Sequence, residues 1–132
     1  MIYNLSSDDT RITQEIDAKV GKRYGFFASL FSGGSGSQRL LVVHCSEPIQ
    51  ELFDLDRYPN HCNIELRPKG IIIHFRSRLD MFAWVIEASS LKITLKKSNW
   101  EVKDDDNLME LHGANNKSLN PHFFERMEEL SH

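Results

Sequence analysis

Apolar positions along the chain change period twice. Between residues 8 and 23, Ile12, Ile16 and Val20 recur every fourth position among polar neighbours, the spacing of one narrow helical stripe. Ser7 is placed to cap that helix, with Asp8 and Asp9 in its first turn, Lys19, Lys22 and Arg23 in its last, and Gly21 or Gly25 to end it. So narrow a stripe predicts an add-on rather than a core-building helix. From residue 62 the period is two. Asn63-Ile64-Glu65-Leu66-Arg67 alternates polar and apolar, Ile71 to Phe75 and Met81 to Ile86 are apolar at almost every position, and Leu91, Ile93 and Leu95 alternate with Lys92, Thr94 and Lys96. Trp100 and Val102, then Leu108 to Leu111, predict two further strands. Turn chemistry separates these runs at Pro68-Lys69-Gly70, Ser98-Asn99 and Asp104-Asp105-Asp106-Asn107. The helical period then returns. Asn120 caps, Pro121 takes the first helical position, Leu119 staples on Phe124, and Phe123, Phe124, Met127 and Leu130 share one face opposite Glu125, Glu128 and Glu129.

The stretch between is less regular. Tyr24 to Phe31 is an apolar run, Ser32-Gly33-Gly34-Ser35-Gly36-Ser37 is a connector, Leu40 to Cys45 reads as a short buried strand, and Ser46 caps a helical turn running to Leu55. The expected organisation is one domain over residues 1–132: a helical add-on over 1–24, a β-rich core over 25–112 and a C-terminal helix over 118–131. The fold class is α+β, mostly β.

Two strands carry more apolar residues than one buried face needs. Ile71, Ile73 and Phe75 oppose Ile72 and His74, and Met81, Ala83 and Val85 oppose Phe82, Trp84 and Ile86. The second face needs a cover. A second copy of the chain, in a symmetric homodimer, is the leading expectation; coverage by residues 8–31 of the same chain is the competing account.

Composition narrows the classes. The chain is 40% hydrophobic and 27% charged, ordinary for a globular protein. It has no run of the ~20 apolar residues that a membrane helix needs, and its first nine residues lack a signal-peptide pattern. Two cysteines are too few for a secreted disulfide scaffold, so the cytoplasm is expected. Charge is uneven: residues 64–103 hold eight Lys or Arg against four Asp or Glu, and residues 104–132 hold two against seven. Such asymmetry suits an anionic partner or pairing between basic and acidic faces. A pI near 6.0 and the lack of interleaved basic and aromatic residues argue against nucleic acid.

No motif carries chemistry by itself. His44-Cys45 and His61-Cys62 are zinc-competent residue types, but neighbours on a strand point to opposite faces, so buried thiols with no metal and no cofactor are expected. The Ser32–Ser37 loop lacks the Gly-Lys-Ser/Thr ending of a phosphate-binding loop, and the Asp104–Asp106 run lacks the Gly and Glu of a calcium loop. Phe26, Phe27, Leu30 and Phe31 suit a core strand or contact surface better than membrane insertion. No nucleophile–base pair stands out, so no catalytic residue is assigned. The alternative is a small-molecule pocket, enzymatic or not, built from His44, His61, His74 and Trp84.

Short antiparallel strands closed by one amphipathic helix, with Ile64 to Gly70, Ile71 to Phe75, Trp84-Val85-Ile86 and Leu91-Lys92-Ile93 in that order, resemble the bacterial pleckstrin-homology-like families over about residues 62–131 and 25–45. The resemblance implies a bent sheet or split barrel of about seven antiparallel strands capped by the C-terminal helix, used for binding and assembly and rarely for catalysis. Eukaryotic phosphoinositide-binding members carry a Lys, a spacer and Arg-x-Arg, and Lys69 with Arg76-Ser77-Arg78 has that order. Seven residues of one extended strand separate these groups by roughly 23 Å at ~3.3 Å per residue, too far to converge on one phosphate. The expected partner surface is Arg76, Arg78, Lys92, Lys96 and Trp84. The leading functional expectation is a non-enzymatic module that self-associates or binds another protein.

Overall fold

The computed structural model describes residues 1–6, 9–23, 40–53, 60–77, 80–96, 99–112 and 127–130, with Leu95 and Lys96 described through their backbone. In chain order the elements are β1 (Ile2–Asn4), α1 (Thr10–Val20), β2 (Leu40–Cys45), α2 (Glu47–Gln50), β3 (His61–Arg67), β4 (Gly70–Ser77), β5 (Asp80–Glu87), β6 (Lys92–Lys96), β7 (Asn99–Lys103) and β8 (Leu108–His112). Residues 127–130 are helical. The strands form one antiparallel sheet in the order β1-β5-β4-β3-β2-β8-β7-β6, which does not close on itself. Mostly β with short helices, the architecture agrees with the expected class.

One face of the sheet makes the main core. Ile64 and Leu66 of β3, Ile71, Ile73 and Phe75 of β4, and Trp84 and Ile86 of β5 meet Leu40 and Val42 of β2, Val102 of β7 and Met109 and Leu111 of β8. Strands from both ends of the order share this cluster, so the sheet bends around it. Ile49 and Phe53, from α2 and the turn after it, join this cluster, as does Met127 of the C-terminal helical turn, which is fully buried, with Leu130 packed against the core. Phe123 and Phe124, Arg78, the Tyr24–Phe31 run and the Ser32–Ser37 loop lie outside the described residues.

The other face of β4 and β5 forms a second cluster. Ile72, Ala83 and Val85 pack against Ile16 and Val20 of α1 and Tyr3 of β1, with Ile12 and Leu5 at the margin. The stripe of Ile12, Ile16 and Val20 thus covers the second apolar face from within the chain, and the rest of the 8–31 segment beyond residue 23 lies outside the described residues. Close approach depends on Gly70, where a Cβ would stand 2.7 Å from Val20 Cγ1 and 2.2 Å from the Ile86 carbonyl oxygen. The Lys69 N–H donates to the Val20 carbonyl at 2.8 Å, fastening the helix end to the β3–β4 turn.

Three local features differ from the sequence expectation. Asp9, expected in the first turn, stands at the N-cap of α1 and accepts from the Arg11 N–H, with Ser7 outside the described residues, whereas Gly21, at φ 86°, ends the helix as expected. Ser46 stands at the N-cap of α2 without capping it. Its hydroxyl bonds Asn107 Oδ1 at 2.9 Å and accepts from the Leu108 N–H at 3.1 Å, tying α2 to the β7–β8 turn. The eighth strand is β1, which pairs Tyr3 with Ala83; three residues are too few for an alternation to be legible.

Candidate functional site

Strand alternation and register lay the outer face out in rows. Asn63 of β3 pairs with His74 of β4, which pairs with Ala83 of β5; Glu65 pairs with Ile72, which pairs with Val85; Arg76 pairs with Met81. The helix α1 lies over the rows of Ile72, Ala83 and Val85. The rows of Asn63–His74 and Arg76–Met81 extend beyond it.

A polar network marks the boundary. Arg67 is only 6% exposed, and its buried charge is met by two carboxylates and a backbone carbonyl. Its Nε donates to Glu65 Oε2, and its Nη1 donates to Asp17 Oδ1 at 2.9 Å and to the Gly21 carbonyl at 2.8 Å. Glu65 Oε1 lies 3.0 Å from His74 Nε2, and Arg23 Nε stands 3.9 Å from Oε2. Burial pushes the Glu65 carboxyl up, but hydrogen bonds from His74 and Arg67 and their charges outweigh it and bring the pKa down to about 2. Glu65 is therefore ionised and can only accept, which fixes the His74 proton on Nε2.

Beyond that network lies a hollow of about 340 Å³, lined by His61, Asn63, His74, Arg76 and Met81 of the outer face together with Cys62 and Phe75. Arg76 is exposed and has no carboxylate partner among the described residues. Met81 is 39% exposed, one of three exposed large apolar side chains among the described residues. A second, smaller hollow of about 160 Å³ lies by Lys19, Glu87 and Asp104–Asp106.

The expected surface residues separate. Arg76 lines the hollow, but Lys92 is exposed on β6, five strands from β4 in the sheet order, with Lys96 on the same strand. Trp84, expected at the surface and in the histidine pocket, is instead fully buried, and its Nε1 donates to Asp104 Oδ2 at 2.9 Å. Asp104 Oδ1 in turn accepts from the Asp106 and Asn107 N–H groups, so this pair links β5 to the β7–β8 turn across the core. The tryptophan is inward because Trp84 shares parity with Phe82 and Ile86, not with Ala83 and Val85. Of the proposed histidine cluster, His61 and His74 reach the hollow together, whereas His44 stands opposite Glu110 on β8. Asn63 and Met81 escaped the sequence reading, although the strand register and face parity contain both.

Both cysteines are buried, and burial pushes Cys45 up to about 11 and Cys62 up to about 12. Both are therefore protonated thiols at neutral pH in the folded protein. Among the described residues no three or more His, Cys, Asp or Glu gather in a metal-binding group, and no helix is long and apolar enough to cross a membrane. Compared with protein families, characterised proteins and solved structures, the chain matches none.

Proposed function

We propose that this protein is a non-enzymatic, pleckstrin-homology-like binding module that holds a segment of another protein on the outer face of β3, β4 and β5. Two antiparallel runs, β2–β5 and β6–β8, meet along β2 and β8, and a C-terminal helical turn enters their shared core through Met127. That arrangement supports the bent-sheet reading of the family pattern. The observation that carries the binding role is the hollow of His61, Asn63, His74, Arg76 and Met81, uncovered by the described residues and beside a helix that the Arg67 network holds in place. Donors fixed on a sheet form a preorganised surface, which limits the ordering cost of binding. A second copy is not required, because α1 already covers the apolar face that motivated a homodimer. The proposed setting is the cytoplasm, where Cys45 and Cys62 stay reduced.

The experiment is selection of peptides from a random display library on the full chain, followed by affinity measurement on the wild type and on Asn63→Trp. Asn63 is exposed, so the substitution fills the hollow without entering the core. Selected peptides should weaken at least about tenfold, which is about 1.4 kcal/mol of lost binding. Peptides that bind both proteins equally would place recognition elsewhere.

A further inference from the structure

We infer that β1 and α1 form one strap that opens from the sheet as a unit while the main core stays folded, uncovering the row of Ile72, Ala83 and Val85 together with the outer edge of β5.

Strand parity separates what the strap covers from what the core needs. β4 and β5 give Ile71, Ile73, Phe75, Trp84 and Ile86 to the main core, and Ile72, Ala83 and Val85 to the face under α1. Lifting the strap therefore leaves the first set packed. Among the described residues of β1 and α1, Ile2 is the one that packs against the main core. Tyr3, Ile16 and Val20 belong to the second cluster.

The two parts of the strap are tied to each other as well as to the sheet. The Tyr3 hydroxyl donates to Glu15 Oε1 at 3.0 Å, and Lys19 Nζ stands 5.5 Å from the centre of the Tyr3 ring and 3.0 Å from Met1 Sδ. Neither part is stable alone. A helix of 11 residues is marginal in water, and β1 is a strand of three residues with β5 as its neighbour in the sheet. Losing one part thus strips support from the other. What closes the strap is the short apolar row and a latch at the end of α1, where Arg67 donates to Asp17 and to the Gly21 carbonyl and the Lys69 N–H donates to the Val20 carbonyl. A small cluster set apart from the main core is the kind of region that opens below the global unfolding free energy. Closed, the strap hides a strand edge and an apolar row that would otherwise invite pairing with other chains; opening frees both at once.

The test is native-state amide hydrogen exchange of the full wild-type chain, read by NMR at rising sub-denaturing urea. Successive N–H groups of a strand point to opposite edges. In β5 the Met81 and Val85 N–H groups donate to Ser6 Oγ and to the Met1 carbonyl, each at 2.8 Å. Ala83, paired with Tyr3, faces the same way, whereas Phe82, Trp84 and Ile86 face β4. Ala83, Lys69 and residues 14–20 of α1 should therefore share one opening constant and one urea dependence, at least about tenfold more open than Phe82, Trp84 and Ile86. Less than a tenfold difference would show that the strap opens only with the core, and would overturn the inference. So would an Ala83 opening constant more than about threefold away from that of α1, because strand and helix would then leave separately.

Discussion

Replacing Arg67 with methionine keeps an unbranched apolar stem and removes a buried charge that donates to three acceptors. Glu65 would then stay largely buried with His74 as its remaining close partner, while the Gly21 carbonyl at the end of α1 would lose its donor. Removing one member of a buried pair costs about 3–5 kcal/mol. The Asp17 side chain is 29% exposed and can rehydrate, which places the expected loss at the lower end, about 3 kcal/mol. The acid limb gives an independent check. Glu65 titrates near 2 in the folded protein against an ordinary 4.5. A carboxyl with a depressed folded pKa contributes stability that is fully present above its unfolded value and lost as pH falls towards its folded one. That contribution is about 3 kcal/mol at ~1.4 kcal/mol per tenfold, disappearing between about pH 5 and pH 2. In Arg67→Met the Glu65 carboxyl rises towards its ordinary value, so the variant should be less stable at pH 7 and should lose less on acidification. Urea unfolding followed by tryptophan fluorescence at pH 7, 5 and 3 measures both, with Glu65→Gln as the control lacking the titrating group. A loss below about 1 kcal/mol at pH 7, or an acid limb as steep as in the wild type, would refute the role given to the network.

Gly70→Ala should cost about 1–3 kcal/mol, because its Cβ meets the Ile86 carbonyl at 2.2 Å, and amide exchange in residues 10–20 should quicken as α1 is pushed off; unchanged exchange would show that the helix does not need this approach. Trp84→Phe should cost about 1–3 kcal/mol by leaving Asp104 without the indole donor, read from the urea midpoint, and a neutral result would mean that water replaces the bond. Met127→Ala should cost about 2–5 kcal/mol if the C-terminal turn is as firmly seated in the core as its burial indicates; a loss below 1 kcal/mol would detach it. Cys45 and Cys62 should resist a thiol reagent at pH 8 in the folded protein and react once urea unfolds it, so rapid labelling of the native state would contradict their burial.

The strand pattern was legible because alternation survives wherever one face is buried. Asn63 to Arg67, the Pro68-Lys69 turn and the strands of Ile71–Phe75 and Met81–Ile86 fall within β3, β4 and β5 and the turn between the first two. The stripe of Ile12, Ile16 and Val20 likewise gave α1. The sequence also showed that Ile72, Ala83 and Val85 needed a cover. It could not choose between a helix of the same chain and another chain, since both supply apolar side chains of equal worth. Gly70 was the local clue, read as turn chemistry when its lack of a Cβ also admits Val20. The candidate site was harder to see. Grouping His44, His61, His74 and Trp84 by residue type ignored parity, and parity sends Trp84 inward and sets His61 and His74 outward. Arg67 entered the reading only as the end of the alternating Asn63–Arg67 run, because its partners Asp17 and Gly21 lie about fifty residues earlier and only the docked helix brings them near.

The same network explains why the face beside α1 stays rich in donors. Here Glu65 is consumed from two sides: Arg67 takes one oxygen and His74 the other. Arg67 is held in turn by Asp17 and by the end of α1. Docking the helix therefore does more than shield Ile72, Ala83 and Val85. It fixes Glu65 on buried partners, while Arg76, two rows along the same face, has no carboxylate partner among the described residues. The cover of the apolar rows and the charge of the open rows are consequences of one contact between α1 and β3, so a change that loosens the helix should reach the hollow through Glu65 before it reaches the core.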